Sequence, residues 1–209
     1  MARRTQQQEL VSLFAADGMT LDPALIPTDT AVSTYALIRD ETAERKAAAF
    51  RDTGSFDAAG SLSQENAEAF CRDFCKAFSY DTPIFTLDET GSGTATAVRL
   101  WNGTPVFNAA VTFTIDQGRV LSASGALLPE AGAETSSGQK PLSAFAALTA
   151  FQQMRHASSS VVSSITEVSL CYELQSTTAA PMALVPSWRI VTDTATFYVN
   201  CISGTVRRA

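Results

Sequence analysis

Ala67-Glu68-Ala69-Phe70-Cys71-Arg72-Asp73-Phe74-Cys75-Lys76-Ala77-Phe78 is the stretch that decides the fold class. Ala67, Phe70, Cys71, Phe74, Cys75 and Phe78 recur at intervals of three and four, which gathers them on one face of an α-helix. Ser61 and Gln64 stand upstream at capping-box spacing, so the helix is expected to begin near Ser61. A face this apolar needs a cover. Three strand-like stretches follow it, at about 95–101, 106–115 and 119–127. Asn102-Gly103 is a strong hairpin signal because both residues accept positive φ, and Asp116-Gln117-Gly118 makes a second turn. The expected product is an antiparallel meander packed on a helix.

Upstream, residues 5–16 place Leu10, Leu13 and Phe14 on one side of a short amphipathic helix that Asp17-Gly18 stops. Two prolines between Met19 and Pro27 prevent a continuous helix, and a strand is expected around Val32–Ile38. Asp40 suits the cap of a polar, alanine-rich helix reaching Phe50, with a loop from Gly54 to Gly60.

Downstream, Pro129–Lys140 is small, polar and glycine-containing, the composition of a flexible connection. Pro141 then suits a helix start, with Leu142, Phe145, Leu148, Phe151 and Met154 as its apolar members. Strands are expected again near 165–174, 183–191 and 195–202. Val111, Phe113, Gly118 and Val120 have the same spacing as Phe197, Val199, Gly204 and Val206. A helix precedes the sheet both times, which makes an internal duplication the better reading. The expected fold class is therefore α+β: an N-terminal α/β segment over 1–60, a helix-plus-antiparallel-sheet unit over 61–128, a linker over 129–140 and a second such unit over 141–209.

Composition narrows the functions open to such a chain. Its 209 residues, 45% hydrophobic, suffice for an ordinary core. A formal net charge of −6 opposes nonspecific nucleic-acid binding, which needs clustered cations. No apolar run approaches the roughly 20 residues of a membrane-spanning helix, and the N-terminal stretch has no signal-peptide core.

Chemistry-bearing motifs are sparse. Cys71 and Cys75 read as packing residues, since no CxxC or nearby histidine completes a metal site. Cys171 and Cys201 fall on separate expected strands; they pair if those strands are neighbours and are otherwise buried thiols. His156 is the only histidine, so any Ser-His-Asp or Cys-His mechanism depends on it. Beside Arg155 at a helix end, the helix dipole and exposed carbonyls account for it. The sequence contains no Gly-x-Ser-x-Gly elbow, Walker loop or Gly-x-Gly-x-x-Gly turn, and Asp81, Asp88, Glu89 and Asp116 read as turn and surface residues. Trp101 and Trp188 read as core. Pro186, within Leu184-Val185-Pro186-Ser187-Trp188-Arg189-Ile190, marks a strand entry, a bulge or an edge able to accept a partner strand. No cofactor, metal or catalytic residue is expected.

The C-terminal run resembles a PepSY-like unit, of the cystatin-like helix-plus-sheet type. The resemblance rests on an apolar helix, then Ile165–Tyr172, then Leu184-Val185-Pro186-x-Trp188, then Tyr198-Val199-Asn200 before Gly204. It is similar in particular to the YycH/YycI family, membrane-anchored regulators of a cell-wall two-component sensor kinase in Gram-positive bacteria. That resemblance implies an extracytoplasmic, non-catalytic domain tethered by an N-terminal transmembrane helix, of which this chain would be the soluble part. It implies a protein partner, a sensor histidine kinase or related membrane regulator, met through motif residues Leu184, Val185, Pro186, Trp188 and Tyr198. Two other classes stay open: a PepSY-type peptidase inhibitor or propeptide-like module, and a small-ligand module with Trp101 or Trp188 in its pocket.

Overall fold

A computed structural model describes residues 2–28, 32–38, 66–125, 128–135, 140–158, 161–176 and 182–209. The helix expected from Asp40 to Phe50, the loop at Gly54–Gly60 and the Ser61/Gln64 capping pair lie outside these residues. The described chain is α+β, with three α-helices and both parallel and antiparallel strand pairings. In chain order the elements are α1 (Ala2–Ala16), β1 (Thr20–Leu21), a 3-10 turn (Pro23–Leu25), β2 (Thr34–Ile38), α2 (Ala67–Ala77), β3 (Ile84–Leu87), β4 (Gly93–Trp101), β5 (Thr104–Asp116), β6 (Arg119–Gly125), β7 (Ala131–Thr135), α3 (Ala144–Ser158), β8 (Ser164–Gln175), β9 (Ala183–Thr192), β10 (Thr196–Asn200) and β11 (Val206–Arg208). No helix among the described residues is long and apolar enough to cross a membrane. The chain forms two compact units, one of Tyr35–Glu134 with Tyr172–Leu184, the other of Met1–Thr34, Thr135–Cys171 and Val185–Ala209.

In the α2 unit, Asn66 caps the helix by accepting from the Ala69 amide at 3.0 Å, and Glu68 and Lys76 sit at the ends that the helix dipole favours. The apolar face read from the sequence is the buried one: Ala67, Phe70, Cys71, Phe74 and Cys75 are all buried. It lies on a meander in the order β3-β4-β5-β6. Phe113 of β5 receives Phe74 edge-on at 5.3 Å and Phe70 at 6.4 Å, and each fully buried ring contributes about 1.5–3 kcal/mol. Both hairpin turns use two residues at positive φ, Asn102 and Gly103 in one, Gln117 and Gly118 in the other. Mirror-image turns of this kind match the twist of the flanking strands.

A smaller cluster in the same unit gathers Leu37, Trp101, Val106, Leu128, Tyr172 and Leu184. Here the Pro129–Lys140 reading is corrected: Ala131–Thr135 is a strand, β7, which pairs with β2. Its small residues serve a close approach, because a Cβ on Gly132 would stand 2.9 Å from Cζ2 of Trp101. Strand β3 was also unanticipated, so the first meander has four strands.

In the other unit, α1 and α3 cover the second meander, β8-β9-β10-β11. Phe151 packs on Phe14 at 6.4 Å and on Phe197 at 5.0 Å. Leu10 and Phe14, four apart, are buried as expected, whereas Leu13, expected on the same face, is 45% exposed. Pro141 does not start α3; Ser143 does, its hydroxyl accepting from the Ala146 amide at 3.2 Å. β9 lies between β8 and β10, so Cys171 on β8 and Cys201 after β10 are not on neighbouring strands, and both are free thiols.

Each meander has four strands and a positive-φ glycine in the turn between its third and fourth. Gly118 lies in the turn from third to fourth strand of the first, at φ 77°, and Gly204 in that of the second, at φ 72°. Val111 and Phe113 precede the one turn as Phe197 and Val199 precede the other, all four buried.

Candidate functional site

The motif residues singled out in the sequence are placed in the core more than at the surface. Leu184 is fully buried in the small Trp101 cluster, Trp188 is 2% exposed in the large one, and Val185 and Pro186 are buried. Pro186 does not mark an edge, because β9 is an interior strand. Its residues 187–191 pair with β10 and residues 183–184 with β2, so Pro186 falls between the two ladders. Its carbonyl accepts from the Cys201 amide at 2.9 Å. The return bond needs a donor proline lacks, and the Cys201 carbonyl takes the Leu142 amide instead, at 2.8 Å. The Leu142 carbonyl in turn accepts from Nε1 of Trp188 at 2.8 Å. The Pro-x-Trp pair thus pins the segment that leads into α3.

Tyr198 is half-buried on the opposite face of that meander. Its register neighbours are Arg189 on β9 and Arg207 on β11. Arg189 Nη1 meets Glu167 Oε1 at 2.6 Å, and the Ser169 hydroxyl donates to the same oxygen at 2.7 Å. The Ser169 hydroxyl, then Arg189, hold the Glu167 carboxyl below its usual range, against the effect of burial. Burial and the nearby Cys171 push the Tyr198 hydroxyl up, with Arg189 opposing.

The polar cluster richest in reactive side-chain types forms where α1 ends against the last turn of α3. Asp17 Oδ2 meets His156 Nε2 at 2.9 Å and also accepts from Gln152 Nε2. Arg155 sends Nη2 to the Asp17 carbonyl at 3.2 Å and Nη1 to the Val162 carbonyl at 3.3 Å. Asp17, Arg155 and His156 border an open cleft of about 370 Å³ that Ser163 also lines. The geometry holds more than it poises: the guanidinium caps the Asp17 carbonyl at the end of α1, where a cation is favourable, and joins it to the Val162 carbonyl ahead of β8. His156 Nε2 is taken by a carboxylate, and the amide and hydroxyl of Ser163 serve Asp193. Among the described residues no serine hydroxyl bonds to His156, so no Ser-His-Asp relay is formed there. Sequence reading anticipated Arg155 and His156 as helix-end residues but not Asp17 as their partner, since 138 and 139 positions separate them.

Burial pushes the thiols of Cys71, Cys75 and Cys201 up to about 12, which leaves almost no thiolate at neutral pH. Among the described residues, no group of three or more His, Cys, Asp and Glu side chains is placed to hold a metal ion.

No family model matches this chain, and no curated protein matches it. Among solved structures, it is similar to an uncharacterized protein from Eubacterium rectale ATCC 33656, at 12% identity and a TM-score of 0.41, with 68% of this chain and 55% of that one covered. It is also similar to the C-terminal domain of YpeB from Bacillus megaterium, at 13% identity and a TM-score of 0.36, with 73% and 69% covered. The chain thus spans about half the length of the first of these. Similarity at this level does not establish a shared fold, and the architecture rests on the chain's own pairing and packing.

Proposed function

We propose that the protein is a non-catalytic regulatory or scaffold module that works by contact with another protein. The observation that carries this reading is a contrast in how the polar and apolar groups are used. Asp17, Arg155, His156, Glu167 and Arg189 are engaged with one another or with backbone carbonyls, while the first meander ends on a strand, β3, with large apolar side chains in solvent. Exposed apolar groups on an open sheet edge suit association better than turnover.

In this reading the module works outside the cytoplasm, tethered by an N-terminal anchor, and its partner is a membrane sensor histidine kinase. The support for location and partner is the sequence resemblance over about 141–206. Binding one conformation of the partner more tightly raises that conformation's population, and the shift is limited by the difference in affinity. The test is deletion of the gene in its host, read by a reporter of the kinase's cell-envelope response. An altered response to envelope stress, restored by the intact gene, is expected; an unchanged response overturns the kinase-regulating role.

A further inference from the structure

We infer that β3 is a docking edge for an extended segment of another protein, one with apolar residues at alternate positions and basic residues flanking them. This deepens the proposed contact function and rests on it. The Asp88 amide donates to the Ser92 carbonyl at 2.9 Å, one step beyond the Leu87↔Gly93 pair. Antiparallel ladders alternate. The backbone groups of Thr86 and Ile84 therefore also point to β4, and the N–H and C=O of Phe85 and Leu87 point outward. β3 has no second strand neighbour among the described residues.

Side chains reinforce the edge. Six large apolar side chains are exposed among the described residues, and two of them, Ile84 at 70% and Leu87 at 44%, are on this four-residue strand. Phe85 packs inward beside α2, so a docked strand would extend an existing apolar face. Ile84-Phe85-Thr86-Leu87 carries neither charge nor proline, the two devices that commonly blunt an edge. The outer strand of the second meander, β11, does carry charge, as Arg207 and Arg208. The charges near β3 lie beyond its ends: Asp81 before it, Asp88 and Glu89 after it, all exposed. None of the three is in an ion pair among the described residues. Those carboxylates favour a segment with lysine or arginine at its ends.

The test measures binding of a fluorescent Lys-Lys-Val-Thr-Val-Thr-Val-Lys-Lys peptide to the whole protein by anisotropy. Comparison peptides replace every lysine with glutamate or N-methylate alternate residues. The structure predicts binding that weakens with salt and falls at least about tenfold for each comparison peptide, the factor that loss of roughly 1.4 kcal/mol gives. Leu87→Pro removes an outward N–H and leaves the β4 ladder intact, so its melting temperature should match wild type within a few degrees while binding falls by a similar factor. Glu89→Lys should weaken the lysine-flanked peptide and strengthen the glutamate-flanked one. Absence of binding, or binding unchanged in both variants, overturns the docking edge while leaving the host deletion result to judge the regulatory role. Concentration-dependent self-association abolished by Leu87→Pro would assign the edge to a second copy and overturn the commitment to a foreign segment.

Discussion

Pro186 and Cys201 meet one residue beyond the last register pair of β9 and β10 and exchange a single hydrogen bond, from the Cys201 amide to the Pro186 carbonyl at 2.9 Å. The missing donor of proline leaves the Cys201 carbonyl to Leu142, and Trp188 Nε1 completes the clamp. Trp188→Phe keeps an aromatic ring in the core but removes that donor. We expect a loss of about 1–3 kcal/mol in urea unfolding, the cost of leaving a part-buried carbonyl short of its partner, with an unchanged far-ultraviolet spectrum. Equal stability would mean that the clamp contributes nothing.

Gly132 is required by the Trp101 ring and not by its own backbone angles. Gly132→Ala drives a methyl to 2.9 Å from Cζ2, and overpacking of this kind costs about 1–3 kcal/mol. The expected result is a lower melting temperature with a shift in tryptophan emission. In a Trp101→Leu background the penalty should shrink.

Arg155 and His156 are neighbours with unequal duties. Arg155 joins two backbone carbonyls, whereas His156 is 55% exposed beside Asp17. Arg155→Met should therefore cost about 1–3 kcal/mol through unsatisfied carbonyls, and His156→Asn below about 1 kcal/mol, as for an exposed pair. Chemical denaturation of both variants checks the ranking, and a larger loss for His156→Asn would reverse it.

Asp193 ties the entry of β8 to the end of β9, accepting from the Ser163 and Ser164 amides at 3.0 and 3.2 Å. Those amides hold its carboxyl below the ordinary 3.8. A carboxylate depressed in the folded state stabilises above its unfolded pKa, and that contribution is lost as pH falls through the folded value. Stability should therefore decline below pH 3.8 partly on account of Asp193. Asp193→Asn should flatten that part of the profile while changing the slope at neutral pH little.

The helix faces and hairpin turns were readable because local rules decide them. Asn102-Gly103 needs no distant partner to favour its turn, and Phe70, Phe74 and Phe78 announce a buried face by spacing alone. β3 was missed because four residues after Pro83 give too short a pattern to register. β7 was hidden for a different reason: Gly132 has the composition of a linker and is small because a distant indole lies against it. The proline of β9 suggested a strand entry, a bulge or an edge, and only the Leu142 amide, 44 positions earlier in the chain, shows how an interior strand accommodates it. Likewise, nothing near His156 in the sequence points to Asp17.

The division of the chain between its two units bears on how such a protein is inherited. Residues before Thr34 and after Val185 belong to one unit, while Tyr172–Leu184 completes the other. Any single breakpoint between positions 34 and 185 therefore separates pieces of the α1–α3 unit. Gene fission there would strand part of a core in each product, so the two-unit architecture is expected to descend through lineages whole, with change confined to its surface and its ends.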